Sequence, residues 1–293
     1  MSRFFSTFCA VITASLLTFT GCSRKRNDGN FKITATFYPL YIMLLNITEN
    51  AQDVSIQMLA PADTGCLHDY SITTKDMKLI TKSDIIIANG AGMEDFLDKA
   101  LKLSKGRIIT AAEGYPLTDD NAHIWVSPEG AAFEVKRIAE ELAAADRKNA
   151  EIYMENARIY IEKINSLSEK MKDELASFAG TSIITFHEAF PYFAADFNLN
   201  LTAVIEREPG TEPTQKELSD LMKLIRTKQA EKQKIALFAE PQYPSSAAQI
   251  IARETGLKVY QLDPCVTGKL EKNAYLEAME KNLQTLKTAL YFQ

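Results

Sequence analysis

The chain contains three histidines, and each lies in a loop-like stretch that follows a strand-like run. They are His68, His123 and His187. Neutral imidazole is the commonest side-chain ligand for transition metals in proteins. Any one of these residues alone is better explained as a hydrogen-bonded histidine, but three in equivalent positions indicate that they converge. The sequence therefore predicts a metal site to which all three imidazoles contribute.

Two acidic residues occupy similar positions further along the chain. Glu240 follows the run Ile235–Phe238, and Asp263 follows the run Lys258–Leu262. In open parallel α/β sheets, ligands bind beyond the carboxyl ends of the strands. A carboxylate at a strand end can also cap a helix or form a turn, and Asp263-Pro264 fits a turn well. We therefore treat Asp263 as a candidate ligand and Glu240 as a candidate supporting group.

The elements that must position these residues alternate between strand-like and helix-like patterns. Such alternation is typical of βαβ units and predicts an α/β fold with mostly parallel sheets. The predicted strands are Lys32–Phe37, Val54–Leu59, Asp84–Ala88, Arg107–Thr110, Ser182–Phe186, Leu201–Ile205, Ile235–Phe238 and Lys258–Leu262.

The middle of the chain differs from both halves. Between Gly130 and Gly180 there is no glycine or proline, and apolar residues recur every three or four positions from Tyr153 to Phe178. This pattern predicts one long amphipathic helix. A coiled coil would give nearly the same spacing, but α/β units flank the segment on both sides. We therefore predict two α/β lobes, 31–146 and 181–293, joined by a rigid helix over 147–180.

The N-terminus indicates export. Residues 1–21 contain one basic residue, Arg3, and an apolar run that is too short and too polar to span a membrane, which identifies a signal peptide. The segment ends in Phe19-Thr20-Gly21-Cys22, which resembles a bacterial lipobox. The resemblance implies cleavage before Cys22, lipid attached to its sulfur, and a flexible tether over 22–30. The alternative is ordinary secretion with Cys22 left as a thiol.

The net charge of the chain argues against one class of binding partner, nucleic acids. Removal of residues 1–21 changes the net charge from −5 to −6, because Arg3 is their only charged residue. No basic stripe is present to meet phosphates, which argues against a nucleic-acid partner. Two cysteines remain in the predicted exported domain, Cys66 and Cys265, and they form a candidate disulfide.

Several motifs together resemble one family, the zinc- and manganese-binding solute-binding lipoproteins of bacterial ABC importers (the ZnuA/TroA-like group). The resemblance covers nearly the whole chain, including the long mid-chain helix. Two departures are Leu67, where the family has proline, and a short acidic segment from Tyr115 to Ala122 in place of a histidine-rich loop. The matching motifs are the lipobox, His68-Asp69-Tyr70, His123-Ile-Trp-Val-Ser-Pro128, Phe186-His187-Glu188-Ala189-Phe190-Pro191, Phe238-Ala-Glu-Pro-Gln242 and Leu262-Asp263-Pro264.

The resemblance implies that His68, His123, His187 and Asp263 bind one metal ion between two lobes. It also implies a membrane permease and its ATPase as partners, an extracytoplasmic protein held to the membrane by lipid alone, and a monomer. Because Cys66 and Cys265 each lie two residues from an implied ligand, we expect them near each other at the mouth of the site. The alternative to a disulfide is a soft ligand or a redox-sensitive thiol pair beside the metal.

Three imidazoles and one carboxylate suit tetrahedral Zn²⁺ better than Mn²⁺, which prefers more oxygen ligands. A manganese-binding member of the family is the first alternative. The second alternative is a zinc hydrolase, in which Glu240 would act as general base. We prefer Glu240 as the partner that orients a ligating imidazole, with Asp263 occupying the position that a catalytic water needs. An additional role as a surface adhesin stays open.

Overall fold

Eight strands form two four-stranded parallel sheets, one in each half of the chain. The computed structural model describes residues 30–67, 70–205, 213–242 and 246–291. The first sheet has the order β2-β1-β3-β4, and the second has the order β6-β5-β7-β8. The strands are β1 Phe31–Ala35, β2 Val54–Met58, β3 Ile85–Ala88, β4 Arg107–Thr110, β5 Ser182–Thr185, β6 Asn200–Val204, β7 Ile235–Ala239 and β8 Val259–Gln261.

Helices connect consecutive strands, as parallel pairing requires. Every strand pair in both sheets is parallel, so the predicted α/β fold with two lobes and parallel sheets is confirmed. The helices in the described ranges are α1 Tyr38–Ile47, α2 Thr74–Lys82, α3 Asp98–Leu101, α4 Pro128–Ala145, α5 Ala150–Leu175, α6 Pro191–Asp196, α7 Gln215–Ala230, α8 Ser246–Thr255 and α9 Ala274–Tyr291. Across the described residues, none of these helices is both long enough and apolar enough to cross a membrane.

The long helix predicted over 147–180 is α5, with the narrower bounds Ala150–Leu175. It begins after a turn in which the Asp146 carboxylate accepts hydrogen bonds from Asn149 Nδ2 at 2.7 Å and Tyr153 Oη at 2.9 Å. Its buried face packs against α4 and α1 from the first half and α9 from the second. Ser168 is buried on that face, whereas Leu167, an apolar residue of the predicted pattern, is only partly buried against the same core.

One hydrophobic core contains residues from both halves. It includes Ile33 of β1 and Leu40 of α1, and also Phe238 of β7 and Leu286 of α9. Residues 31–293 form one compact unit, consistent with this shared core. The division of the chain into lobes at 147–180 stays a prediction.

Polar contacts also join the two halves near the sheet ends. Tyr38 Oη donates to the Lys269 carbonyl oxygen at 2.9 Å, and Asn46 Nδ2 donates to that of Lys272 at 2.9 Å. Gly268 has a φ of 149°, and a Cβ atom there would lie 2.6 Å from Tyr38 Oη. Glycine is therefore needed where the segment after Asp263 crosses the first half.

Candidate metal centre

His123 is held by its own loop and by the second half of the molecule. Its backbone N–H donates to Asn121 Oδ1 at 2.9 Å, and its Nδ1 lies 3.2 Å from the same oxygen. Asn121 Nδ2 donates to the Glu188 carbonyl oxygen at 2.8 Å, and Tyr192 Oη donates to the Asn121 carbonyl oxygen at 2.7 Å. The loop that carries His123 is therefore fixed against the loop that carries His187.

A short 3₁₀ turn, Ile124–Val126, follows His123 directly. Trp125 in this turn is completely buried, and its Nε1–H donates to the Pro264 carbonyl oxygen at 2.9 Å. The 3₁₀ turn leads into α4, whose N-cap Ser127 accepts a hydrogen bond from Gly130 N at 3.1 Å. These contacts explain why a polar residue such as His123 is only 2% exposed.

His187 lies two residues beyond the end of β5, and Thr185 Oγ1 donates to its carbonyl oxygen at 3.0 Å. Glu240 directly follows β7, the neighbour of β5 in the second sheet. Its Oε1 lies 2.8 Å from His187 Nδ1. With an N–H at Nδ1 donating to the carboxylate, Nε2 is the nitrogen that would bind a metal, which is the arrangement that ligating histidines commonly show.

Glu240 is itself buried. Burial raises the pKa of the Glu240 carboxyl group above its ordinary value, the hydrogen bond from His187 opposes that rise, and the charge of Asp263 adds to it. The carboxylate and the imidazole therefore form a tightly coupled pair away from solvent.

The two imidazoles meet edge to face between the halves. Their ring centroids lie 4.6 Å apart with an interplanar angle of 89°. Cys66, from the loop after β2, places its Sγ 3.7 Å from His123 Nε2. One potential ligand atom from each of Cys66, His123 and His187 lies within 4.8 Å of the other two, and all three side chains are buried. Two nitrogens and one sulfur at this spacing are suited to a transition metal such as zinc.

Of the other two predicted ligands, His68 and Asp263, the structure describes only Asp263. His68 lies outside the described residues, as does Cys22. Asp263 is described but contributes no atom to the group formed by Cys66, His123 and His187. Its Oδ1 accepts hydrogen bonds from Gln242 Nε2 at 3.0 Å and from the backbone N–H of Cys265 at 2.9 Å.

The candidate disulfide between Cys66 and Cys265 is not formed in the structure, where both residues are thiols. The two sulfurs face different groups. Cys66 Sγ is directed to His123 Nε2, and Cys265 Sγ lies 3.7 Å from the Asp263 carbonyl oxygen. Burial raises the pKa of both thiols, and negative charges on Glu240 and Asp263 raise it further for Cys66 and Cys265 respectively.

Sequence reasoning gave metal ligation by Cys66 only as an alternative to a disulfide, and it did not predict the direct contact with His123. The signal was present, because Cys66 lies two residues before a predicted ligand in a loop at a strand end. It also missed Asn121 and Asn89, which hold the His123 loop. Asn89 directly follows β3, and its Nδ2 donates to the Ala122 carbonyl oxygen at 3.0 Å.

A solvent-connected cavity of about 400 Å³ adjoins His123. Acidic side chains dominate its charged lining, and His123 is the imidazole that reaches it. The acidic lining residues are Asp119, Asp120 and Glu188.

Known proteins share this architecture. The "Zinc-binding protein AdcA" of Streptococcus pyogenes serotype M6 is 28% identical over 296 residues, which cover 89% of this chain and 56% of AdcA. This chain thus spans about half the length of the streptococcal relatives that it matches. The "High-affinity zinc uptake system protein ZnuA" of Bacillus subtilis is 25% identical over 313 residues, with 96% of both chains covered.

Among solved structures, the SBP FpvC of Pseudomonas aeruginosa in complex with Mn²⁺ superposes with a TM-score of 0.79 at 30% identity. The match covers 90% of this chain and 99% of FpvC. Residues 33–289 match the family described as ZnuA, zinc-uptake complex component A periplasmic. Since that match includes both sheets, the long helix and the loops that carry His123 and His187, this chain belongs to the ZnuA family.

Proposed function

We propose that this chain is the extracytoplasmic zinc-binding component of an ABC-type metal importer. It captures Zn²⁺ between its two halves and delivers the ion to a membrane permease that is driven by an ATPase. The observation that carries the proposal is the buried convergence of His123 and His187, one imidazole from each half, with ring centroids 4.6 Å apart. Family membership supports the same function.

The proposed ligand set includes His68, His123, His187 and Asp263, and Glu240 orients the imidazole of His187. The nitrogen-rich character of this set favours Zn²⁺ over Mn²⁺, which prefers oxygen ligands and higher coordination numbers. Asp263 and His187 belong to the second half and the other two to the first. Zinc bound by all four would therefore hold the halves together at the ends of the sheets.

The proposed location follows from the N-terminal sequence. Residues 1–21 direct export and Cys22 carries the lipid that anchors the protein to the membrane surface. The protein acts there as a monomer and contacts the membrane through lipid alone. It does not bind nucleic acid, since its net charge is negative.

A zinc hydrolase is the competing function, and we propose instead that the chain catalyses no reaction. A general base must reach a metal-bound water molecule. Glu240 Oε1 is instead directed to His187 Nδ1 at 2.8 Å, where it steadies an imidazole. Hydrolytic activity that survives purification and disappears in a Glu240→Gln variant would favour the hydrolase.

Metal analysis of the natively purified protein, followed by calorimetric titration with Zn²⁺, tests binding directly. We expect bound zinc, with most affinity lost in His187→Ala and retained in the exposed control Lys223→Ala. His187→Glu should shift the preference towards Mn²⁺. A deletion strain that grows normally under zinc chelation, with no second importer to compensate, would contradict the transport function.

A further inference from the structure

Cys66 is close enough to the two imidazoles to share a metal ion with them. Its Sγ lies 3.7 Å from His123 Nε2, and it belongs to the group of ligand atoms that lie within 4.8 Å of one another. The residue is only 5% exposed, so its sulfur is directed into the site rather than to solvent. The three side chains reach this point from separate segments of the chain, after β2, after β4 and after β5.

The spacing is that of two ligands on one tetrahedral metal. Typical Zn–S and Zn–N bonds of about 2.3 Å and about 2.0–2.1 Å at a tetrahedral angle separate the sulfur and nitrogen by roughly 3.6 Å. The observed separation of Cys66 Sγ and His123 Nε2 is 3.7 Å. A weak S–H···N hydrogen bond would have a similar length. A hydrogen bond between Cys66 and His123 alone, however, would give no reason for a ligand atom of His187 to lie within 4.8 Å of both.

We propose that Cys66 Sγ is a direct ligand of the metal ion that this protein carries, beside His123 and His187. As the sulfur–metal bond forms, the S–H bond breaks and its proton leaves to solvent. A thiolate makes the site softer than one of imidazoles and carboxylate alone, which favours Zn²⁺ and Cd²⁺ over Mn²⁺. This inference rests on the proposed metal-binding function and specifies its ligand chemistry.

Asp263 is positioned differently from Cys66. Its Oδ1 accepts hydrogen bonds from Gln242 Nε2 and from the Cys265 backbone N–H. The Asp263 backbone N–H donates to Asn282 Oδ1, and its carbonyl oxygen accepts from Asn282 Nδ2. This carboxylate is held by its own half of the molecule. The thiol of Cys66 is held against an imidazole, so it is already placed for ligation, and the contribution of Asp263 proposed above remains a separate prediction.

Cobalt provides a direct test, because Co²⁺ substitutes for Zn²⁺ and reports sulfur ligation by absorption. The protein is titrated with Co²⁺ alone, and the visible d–d bands are recorded together with the near-ultraviolet sulfur-to-cobalt charge-transfer band. Cys66→Ser is compared with Cys265→Ser, a matched removal of the other buried thiol. We expect the charge-transfer band in the parent and in Cys265→Ser, and its loss in Cys66→Ser.

The cobalt spectra distinguish failure of the Cys66 assignment from failure of the proposed function. Visible d–d bands without a charge-transfer band in the parent would overturn the assignment of Cys66 and leave the proposed function standing. A charge-transfer band that depends on Cys265 instead would also overturn it. Failure of the parent to bind Co²⁺ and Zn²⁺ at all would contradict the proposed function itself.

Two further measurements test the sulfur ligand, and the first uses the parent protein and needs no variant to fold. X-ray absorption on the zinc-loaded parent should contain a sulfur scattering shell at about 2.3 Å, and its absence would overturn the proposal. In competition titrations, Cys66→Ser should lower the ratio of Cd²⁺ to Mn²⁺ affinity by at least the roughly 10- to 100-fold that loss of a supporting group costs a metal site. An unchanged ratio would count against Cys66 as a ligand.

Discussion

Glu240 shows how a single carboxylate can prepare an imidazole for a metal. It lies 2.8 Å from His187 Nδ1 and is buried with it. Because the carboxylate follows β7 and the imidazole follows β5, the pairing of those strands determines the distance between them. The supporting group and its imidazole are thus fixed by the same sheet.

Glu240→Gln should weaken zinc binding by about 10- to 100-fold, because an amide orients the imidazole less strongly and adds no negative charge. The fold should survive, since the side-chain shape is nearly conserved. Calorimetric titration measures the loss. Glu231→Gln, an exposed substitution of the same kind at the end of α7, is the control and should bind normally. Equal affinities in both variants would contradict the orienting role.

Glu134 is another buried carboxyl group, and it lies on α4. It is completely buried, and no group among the described residues makes a hydrogen bond to either of its oxygens. Burial holds the pKa of Glu134 well above its ordinary value, and the charge of Glu94 raises it further. The folded protein therefore retains the Glu134 proton at a pH where the unfolded chain has lost it.

This proton makes stability fall as pH rises. The retained Glu134 proton contributes fully to the unfolding free energy below the ordinary carboxyl pKa. Above that pH its contribution decreases by up to about 1.4 kcal/mol per pH unit until the raised pKa is reached. Glu134→Gln should therefore lose less unfolding free energy than the parent between about pH 5 and about pH 7. Some slope should remain, because burial also raises the pKa of Glu94 and Glu240.

Urea unfolding at the two pH values measures the effect of Glu134→Gln. Glu140→Gln, on the exposed face of the same helix, is the control and should keep the parental slope. A Glu134→Gln variant with the parental slope would mean that this carboxyl group does not retain its proton in the folded state.

At the scale of elements, the first turn of α4 supports the segment that carries His123. Gly130 faces the 3₁₀ turn so closely that a Cβ atom there would lie 2.0 Å from the Ile124 carbonyl oxygen. The glycine is therefore required by the contact between the two elements. It also donates its backbone N–H to the cap residue Ser127.

Gly130→Ala should displace Ile124 and with it the neighbouring His123 and Trp125. We expect a loss of about 1–3 kcal/mol in unfolding free energy, the usual range for overpacking, together with weaker zinc binding. Chemical unfolding followed by Trp125 fluorescence measures the first effect, and titration measures the second. Lys136→Ala, on the exposed face of α4, should change neither. Parental stability in Gly130→Ala would show that the turn can move away without cost.

The elements themselves were largely predictable from sequence. Every predicted strand is present with its ends shifted by two residues at most, because β-branched runs between turns depend on local chemistry. The position of these residues at strand ends also predicted the approach of His123 to His187. It predicted that Glu240 would meet an imidazole, but it did not predict which one. By contrast, the long helix was predicted too long at both ends, since its turn at Asp146–Asn149 depends on side-chain contacts.

Other features could not be read from sequence because tertiary packing decides them. The loop after β2 is long, and only the folded molecule determines that Cys66 approaches His123 and that no disulfide joins it to Cys265. Likewise Ser168 is buried where the apolar pattern favoured Leu167, since α4, α1 and α9 together determine which face of α5 is covered.

At the scale of the whole molecule, the shared core couples the two halves. Buried residues of both sheets belong to one cluster, and α5 packs against helices from each half. Hydrogen bonds such as those from Trp125 to Pro264 and from Tyr38 to Lys269 reinforce this coupling. The proposed zinc capture is therefore expected to involve local movement of loops rather than separation of the halves.

The metal-free protein should consequently unfold in a single cooperative transition. Fluorescence of Trp125, the only tryptophan, reports on the region between the halves, and far-ultraviolet circular dichroism reports on all helices. Coincident transitions by the two probes are the expected result. Two separate transitions would mean that each half is stable alone and that the core does not couple them.

The acidic cavity beside His123 should speed the arrival of cations, because charged clefts concentrate oppositely charged ions. A double substitution of Asp119→Asn and Asp120→Asn should slow zinc association by about two- to tenfold, with a smaller effect at high salt. Stopped-flow Trp125 fluorescence measures the rate. Glu151→Gln with Glu169→Gln, which removes the same charge from the exposed face of α5, should leave it unchanged. Equal slowing by both pairs would implicate net charge alone.

The identical strand order of the two sheets has a consequence for how such a protein can be altered. In each half the first and third strands are neighbours, and the second strand lies on the opposite side of the first. Asn89 and Glu240 each follow the third strand of their half, where Asn89 bonds the His123 loop and Glu240 bonds His187. The proposed metal ligands lie on loops beyond this repeated frame, whereas the residues that maintain the frame lie in strands and helices. A library that varies positions 66, 123 and 187 should therefore yield mostly folded proteins with different metal preferences. In this architecture, substitutions that change metal preference and substitutions that change the fold therefore fall at different positions.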